Sequence, residues 1–576
     1  MSDEALLGEG LGSSGYELKR PRRDTWGSLL YGSFVTAAVV GGVLACYRSN
    51  WRELYEMLAR PDDPSVCPMH GPSQLLLQHL SKPEPQSHLD LAKPAGIWVG
   101  IILAASVTLG LGFFSLFYNT PRVATRGSVI VMAALPAVLG IVAFVFFGNA
   151  GLGGYLLIQS GVAVFMLIVW WKHLDLCEKL LAISARALNV NRGLVLVAVL
   201  AQLLVLVANA AFGVLTLAGV SNGSVKPNGA RAENAEGCVN ADGDPVLCCS
   251  WQVDSYGRSF AAFATIVMLW TTLLVKEIRV FVTSGVVAQW YFSPAGTSTQ
   301  GSTKRAWGHA LGPSFGSLSI GSAILTLVAL VRNMIEQARQ KAAEEGQAAG
   351  IVTSLLACFA EVFFQLVEFL TKFTTIRCAI SGEAFLQAGK NAVDLLKRNA
   401  LNTGAVWFFP QLILSVTAFT LAGALGLAVG LGVRLTWPDH DSVKTAAIAL
   451  GVISLVLALV VLLFLGNILL DVVDATYFCY AMDLDAQAVT RADIHDVISK
   501  VPSPSGAAVE QPGGEVVAAR AFSDFRSHFR SQGTRQQGFP VNATCKGPDN
   551  FEEIVEANSS STLAALVGQA SRLLQD

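Results

Sequence analysis

The sequence predicts an all-α, polytopic membrane protein with about ten transmembrane helices and a disordered cytoplasmic tail. Three observations lead there. The 576 residues are 52% hydrophobic and only 14% charged, with a mean hydropathy of +0.50, a balance that belongs to membrane proteins. Long apolar runs recur along most of the chain, each near or above the ~20 residues that a helix needs to cross a ~30 Å hydrocarbon layer. After about residue 485 those runs stop, and SPSG at 503–506, QPGG at 511–514 and NSSS at 558–561 mark low-complexity chain.

The chain divides accordingly. Residues 1–26 are a cytoplasmic N-terminal segment, 27–484 a transmembrane domain and 485–576 a cytoplasmic tail with a short helix near Leu563–Leu574. The N-terminal segment ends in Lys19-Arg20-Pro21-Arg22-Arg23. The apolar run that follows is too long for a signal-peptide core and lacks a clear cleavage site, so it reads as a retained first span. The expected spans are 27–47, 96–118, 127–149, 153–171, 193–219, 259–283, 308–331, 351–380, 404–434 and 446–480.

Basic residues in short loops set the orientation. Arg122 and Arg126, the 172–192 loop with Lys172, Lys179, Arg186 and Arg192, Lys304 and Arg305, and the 381–403 segment with Lys390, Lys397 and Arg398 all fall inside if the N-terminus is inside. The outer loops are then 48–95, which is Pro-rich, and 220–258. One stretch resists: 332–350 carries Arg332, Arg339 and Lys341 yet is counted outside. The outer loops hold Cys67, Cys238, Cys248 and Cys249, which are free to form disulfides in an oxidising compartment or to remain thiols. They also hold the sequon at Asn222, a candidate glycosylation site. The sequons at Asn542 and Asn558 lie in the tail and are expected to be unmodified.

Charged residues at membrane depth are costly and so mark function first. Asn467, Asp471 and Asp474 recur at i, i+4, i+7 on one helix face, with Tyr477 and Tyr480 following within two turns. A carboxylate pair there attracts a cation or exchanges a proton, or else is hydrated at a helix end. Glu361, Gln365, Glu368 and Lys372 form a second stripe, lining a wet path or facing water from an interfacial helix. The third group is Trp270, Lys276, Glu277 and Arg279, followed by Trp290 and Tyr291, which suit an interfacial aromatic belt. Glu277 is free to pair with Lys276 or with a neighbouring helix. Trp270 lies deeper and suits a buried aromatic wall. Aromatic faces hold a quaternary ammonium, which has no N–H to donate, at about 0.5–2 kcal/mol each. The candidate substrate-binding set is Trp270, Glu361, Glu368, Asp471, Asp474, Tyr477 and Tyr480.

Four strings in order resemble the choline transporter-like family, from about residue 259 to 500. They are Leu269-Trp270 followed by GVVAQWYF at 285–292, HALGPSFGSL at 309–318, Cys358 to Glu368 with ISGEAF at 380–385 and Ala392 to Asn399, and VVDATYFCY at 472–480. The resemblance implies about ten spans, cytoplasmic termini, a large first outer loop, a second outer loop bearing cysteines, and transport of choline or ethanolamine. By position, Trp270, Glu368 and Asp474 match family motif residues. The first outer loop is shorter than in the family's animal members, and Lys276 is more like the fungal and plant branch.

The expected function is secondary transport, facilitated or proton-coupled, of choline or a related small organic cation such as ethanolamine. The alternatives are a carrier or channel for an unrelated solute and a non-transporting organiser in lipid trafficking. A net charge of −2 gives no reason to expect nucleic acid. The sequence has no Walker or HExxH string, and no ATP-driven pump, enzyme, cofactor or metal is expected. Membrane lipid is the other expected partner, and the plasma membrane is the expected location.

Overall fold

Helices dominate the computed structural model, which describes residues 16–18, 20–59, 85–145, 148–191, 193–227, 238–239, 245–246, 249–293, 301–345, 347–398, 400–436, 443–492 and 494–495. In order they are α1 (Thr25–Arg48), α2 (Trp51–Ala59), α3 (Pro85–Asn119), α4 (Pro121–Val145), α5 (Ala150–Val190) and α6 (Gly193–Val220). Four short strands follow: β1 (Gly223–Pro227), β2 (Cys238–Val239), β3 (Pro245–Val246) and β4 (Cys249–Val253). Then come α7 (Ser255–Phe292), α8 (Ser302–Leu311), α9 (Phe315–Glu345), α10 (Gln347–Ser381), α11 (Phe385–Arg398), α12 (Ala400–Thr436) and α13 (Val443–Asp485). Among the described residues, eight stretches are long and apolar enough to cross a membrane, on α1, α3, α4, α6, α7, α9, α12 and α13. The protein is an all-α, multi-pass membrane protein. The other two expected spans fall on α5, whose described apolar part is only Ala150–Phe165, and on α10, which carries Glu361, Glu368, Lys372 and Arg377.

Several expected boundaries move, each for a local reason. The span placed at 308–331 is broken at Gly312–Ser314, because Pro313 has no N–H to continue a helix. Residues 302–311 form the separate helix α8, and the basic stretch after Val331 continues α9 to Glu345. The expected loop at 381–403 is mostly α11. Its buried Phe385, Ala388, Ala392, Leu395 and Leu396 fall at i, i+3, i+7, i+10 and i+11, one face of a helix. The loop at 220–258 contains two antiparallel ladders, Gly223↔Val253 through Pro227↔Cys249, and Cys238↔Val246 with Val239↔Pro245. Cys67, Cys248, the tail beyond 495 and its two sequons lie outside the described residues.

The chain separates into two compact units. Among the described residues, the first comprises those between 16 and 28, 85 and 203, and 273 and 495. Its core packs Phe113 and Phe117 of α3, Leu180 and Leu181 of α5, Phe373 of α10, Ile413 and Leu414 of α12, and Phe478 of α13. Glycines let α12 and α13 approach closely. A Cβ on Gly426 would stand 2.9 Å from the Gly451 carbonyl oxygen, and one on Gly451 would stand 3.0 Å from that of Gly426, the small-residue contact that membrane helices use in place of a hydrophobic driving force.

The segment before α1 is also tied into this unit. Arg20 donates through Nη1 to the Cys378 carbonyl (3.2 Å) and through Nη2 to those of Ala379 (2.8 Å) and Ile380 (3.1 Å). It thereby covers the open carbonyls at the end of α10, where positive charge is favoured. Asp24 accepts from Ser317 Oγ (2.6 Å) and from the Phe385 N–H (2.7 Å) at the start of α11. The basic run before the first span therefore supplies a helix cap.

Among the described residues, the second unit comprises 29–59 and those between 204 and 272. Ala38, Phe212 and Val267 form one small core, and Ala45, Ala218, Phe260 and Ala264 another. Trp251 of β4 donates from Nε1 to the Val220 carbonyl at 3.0 Å. Asn222 is buried, and its Nδ2 donates to the carbonyls of Ala45 (3.0 Å) and Ala218 (2.6 Å). N-glycosylation takes place at that nitrogen, which is here committed to two bonds inside the fold. The geometry argues against the expected glycosylation of Asn222.

Candidate functional site

α13 is apolar on every side until Gly466 and then changes character. Asp471 and Asp474 are both buried, so protein rather than bulk water surrounds them. Buried carboxylates need partners, and two helices supply them. Lys372 of α10 places Nζ 2.9 Å from Asp471 Oδ1 and 2.5 Å from Asp474 Oδ2. Arg279 of α7 brings Nη2 to 3.1 Å from Asp471 Oδ2, near enough for an ion pair but without the alignment of a hydrogen bond. Asn467, expected on the same face, is exposed.

Glu277 is buried two residues before Arg279. It accepts a 2.5 Å hydrogen bond from Thr375 Oγ1 of α10, and the charges of Lys276, Asp471 and Lys372 act on it. Its partner is therefore on a neighbouring helix, while Lys276 is exposed. The set has three carboxylates, Glu277, Asp471 and Asp474, against two cations, Arg279 and Lys372. Fully ionised, it carries one net negative charge. Asp474 Oδ1 is buried with no hydrogen-bond partner. Tyr477, one turn after Asp474, is buried, and Phe478 packs against Phe373 of α10 at 5.8 Å between ring centres.

The remaining candidates fall elsewhere. Glu361 and Glu368 both pair with Arg332 of α9, each at 2.9 Å, and Gln365 donates to Glu361. The α10 stripe is thus divided: its first part pairs with α9 while staying about two-fifths exposed, and Lys372 faces α13. Tyr480 is buried with its ring 4.9 Å from that of His495. Trp270 lies in the second unit, buried, with the rings of Tyr31 (5.4 Å) and Phe34 (5.3 Å) edge-on to it. Tyr31 also shares a 3.0 Å hydrogen bond with Thr271. Both of these rings come from α1. Cys238 and Cys249 stand on β2 and β4.

Three features escape the sequence reading. Tyr291 is not an interfacial belt residue: it is fully buried and donates to Asp483 Oδ2 at 3.1 Å. Asp483 also accepts from the Thr490 N–H (3.0 Å) and Oγ1 (2.9 Å) and lies 3.2 Å from His495 Nε2, which anchors the chain that leaves α13. Arg491 stacks over Trp290 at 4.5 Å. His309 lies 3.4 Å from the Tyr16 hydroxyl. Burial, then the positive charges of Arg20 and Arg305, push its pKa down to about 4. The same burial raises the Tyr16 hydroxyl. A charge following an apolar run was the available signal for Asp483; nothing local marked Tyr16.

Comparison with known proteins places this arrangement in a family. A family model described as plasma-membrane choline transporter matches residues 154–485, more than half of the chain and all five members of the charge cluster. A CTL-like protein of Dictyostelium discoideum is 23% identical over 433 residues, 72% of this chain and 77% of the relative. Choline transporter-like 2 of Anopheles gambiae is 26% identical over 277 residues, 44% of this chain and 32% of the relative. Protein PNS1 of Gibberella zeae is 26% identical over 185 residues, 31% of this chain and 34% of the relative. The insect and fungal alignments thus span about a third of those relatives' own length. A family model over most of the helical domain, on a multi-pass all-α fold with paired charges buried in it, has one reading: the chain belongs to the choline transporter family of membrane transporters.

Proposed function

We propose that the protein is a secondary transporter of choline or a closely related small organic cation, ethanolamine next, with the plasma membrane as its first location. The observation that carries this reading is the excess of carboxylates over cations in the packed set Glu277, Asp471 and Asp474 against Arg279 and Lys372, together with the unpartnered Asp474 oxygen. A buried carboxylate without full compensation is costly, and a monovalent cation is the species that relieves it. Tyr477, buried one turn after Asp474, is the aromatic side chain we assign to a methylated ammonium. We keep Trp270, with Tyr31 and Phe34, as a separate aromatic station. Glu361 and Glu368 are paired with Arg332, and we assign them to helix packing. Tyr480 packs on His495, and we assign it to anchoring the end of α13.

An inside-negative potential favours uptake of one positive charge by ~2.3 kcal/mol per 100 mV, enough to concentrate a cation without ATP. The carboxylates also leave room for exchange against a proton. The test is radiolabelled choline uptake into proteoliposomes of the purified protein, with and without an imposed inside-negative potential. Saturable uptake that the potential increases and unlabelled choline competes away supports the reading. Uptake no greater than in protein-free liposomes, from protein shown to be folded, defeats it. Trp270→Ala and Asp474→Asn are each expected to lower uptake, and normal uptake by both would remove the site assignment.

A further inference from the structure

Asp471 and Asp474 already hold a cation, and it belongs to the chain. Lys372 Nζ lies within ion-pair distance of one oxygen on each carboxylate. Among the described residues, Lys372 is the ion-pair partner of Asp474, whose other oxygen is buried and unpartnered. Asp471 is different, because its second oxygen faces Arg279.

We propose that Lys372 is a tethered counter-cation, which occupies the Asp471–Asp474 pair in the substrate-free protein and yields it to the transported cation. The inference rests on the transport reading above and concerns how that site binds and releases its cargo. A monovalent organic cation and a lysine ammonium carry the same charge. Replacing one by the other leaves the charge of the buried set unchanged, whereas adding a cation beside Lys372 would change it. The two carboxylate side chains are 3% and 4% exposed, but that of Lys372 is 23% exposed. Part of the lysine side chain therefore reaches the surface while the carboxylates stay buried. The stem is also of the right kind. Lysine is a compact charge on a flexible chain, whereas the planar guanidinium of Arg279 is suited to hold Asp471 in place throughout.

The consequence is a built-in means of release. Binding has to break two ion pairs, which limits affinity. The return of Lys372 then completes the carboxylate pair and helps the cargo to leave. A residue that only stabilises the fold would have neither effect on transport.

The experiment measures radiolabelled choline uptake over a concentration series for wild type and Lys372→Met in proteoliposomes. With the tethered competitor gone, the half-saturating concentration is expected to fall about tenfold or more and the maximal rate to fall by a similar factor. Unchanged values, or a lower rate with no gain in apparent affinity, overturn the inference. Wild-type protein gives a second readout that does not depend on the variant folding. Amine acetylation followed by mass spectrometry is expected to modify Lys372 several-fold more with saturating choline than without, while the exposed Lys304 and Lys390 react equally in both. Equal Lys372 modification in a preparation that transports choline overturns the inference and leaves the transport reading standing. Absence of choline uptake by wild type overturns the transport reading, and this inference with it.

Discussion

Two carboxylate pairs in the first unit are each bridged by a single cation, and α10 takes part in both. On one, Arg332 of α9 joins Glu361 to Glu368; on the other, Lys372 joins Asp471 to Asp474 of α13. The geometry is similar, with contacts of 2.5–2.9 Å throughout. The surroundings are not. The side chains of the first set are 38–42% exposed, whereas the aspartates of the second are 3–4% exposed. An exposed pair gains little, because solvent screens it and both long side chains lose freedom. A buried pair replaces its hydration with its partner, so the loss of either member leaves an uncompensated charge. Equal spacing patterns in sequence thus conceal unequal physics, and burial is what separates a packing contact from a candidate transport site.

The largest expected effect breaks the comparison at its buried end. Asp474→Asn keeps the shape and removes the charge that faces Lys372. It is expected to reduce choline uptake to background and to cost about 3–5 kcal/mol of stability, read as a fall in the thermal midpoint in detergent. The control is the double variant Glu361→Gln with Glu368→Gln. It is expected to change stability by no more than ~1 kcal/mol and to leave uptake within about twofold of wild type. Comparable losses in both would show that burial is the wrong discriminator.

Thr375→Val sharpens the same contrast with a smaller change. It removes the hydroxyl that serves buried Glu277 at nearly constant volume, and an unsatisfied buried acceptor costs about 1–3 kcal/mol. Thr375→Ser keeps the hydroxyl and is expected to recover most of that loss in the same thermal assay. If Ser and Val behave alike, the hydrogen bond is not what holds Glu277.

The all-α membrane class was legible because hydrophobic run length is a property of composition along the chain. Asp471, Asp474 and the polar stripe of α10 were legible for the same reason: charge in an apolar helix is conspicuous without any knowledge of packing. Their partners were not. Lys372 belonged by spacing to the Glu361–Glu368 stripe, yet its ammonium faces α13. That choice depends on how three helices pack, which no local period encodes. Trp270 was visible as a deep aromatic, but Tyr31 and Phe34 come from over 200 residues earlier in the chain. Asn222 shows the converse. The sequon is a local pattern, and the buried hydrogen bonds that tie up its nitrogen are a tertiary fact. The loop breaker Pro313 was in plain view; the apolar residues beyond it masked the boundary.

Arg20 offers a weaker test away from the cluster. Its bonds to three terminal carbonyls of α10 lie less than two turns beyond Thr375. Arg20→Gln is expected to lower stability by ~1–2 kcal/mol, the worth of a partly buried charge at a helix C-terminus. Arg22→Gln, at an exposed position, is expected to have no measurable effect. Equal effects of the two in the thermal assay would reduce the segment before α1 to a charge signal for orientation.

The smallest expected effect concerns acid. His309 is held neutral in the folded protein, with its pKa near 4 against an ordinary 6.5. The unfolded chain takes up a proton below 6.5 that the folded one refuses until about 4. Stability from this group is therefore complete above pH 6.5, falls as pH drops from 6.5 to about 4, and is constant below that. Because the imidazole is only partly buried, solvent screening limits the change to about 1 kcal/mol. The carboxylates of the protein titrate over the lower part of the same range, so the absolute acid sensitivity is not diagnostic. The difference between wild type and His309→Gln is, since glutamine has no proton to gain. Between pH 6.5 and 4.5 the thermal midpoint of wild type is expected to fall further than that of the variant. Parallel curves would mean that Tyr16, Arg20 and Arg305 leave the imidazole free to charge, and that the contact with Tyr16 opens as it does so.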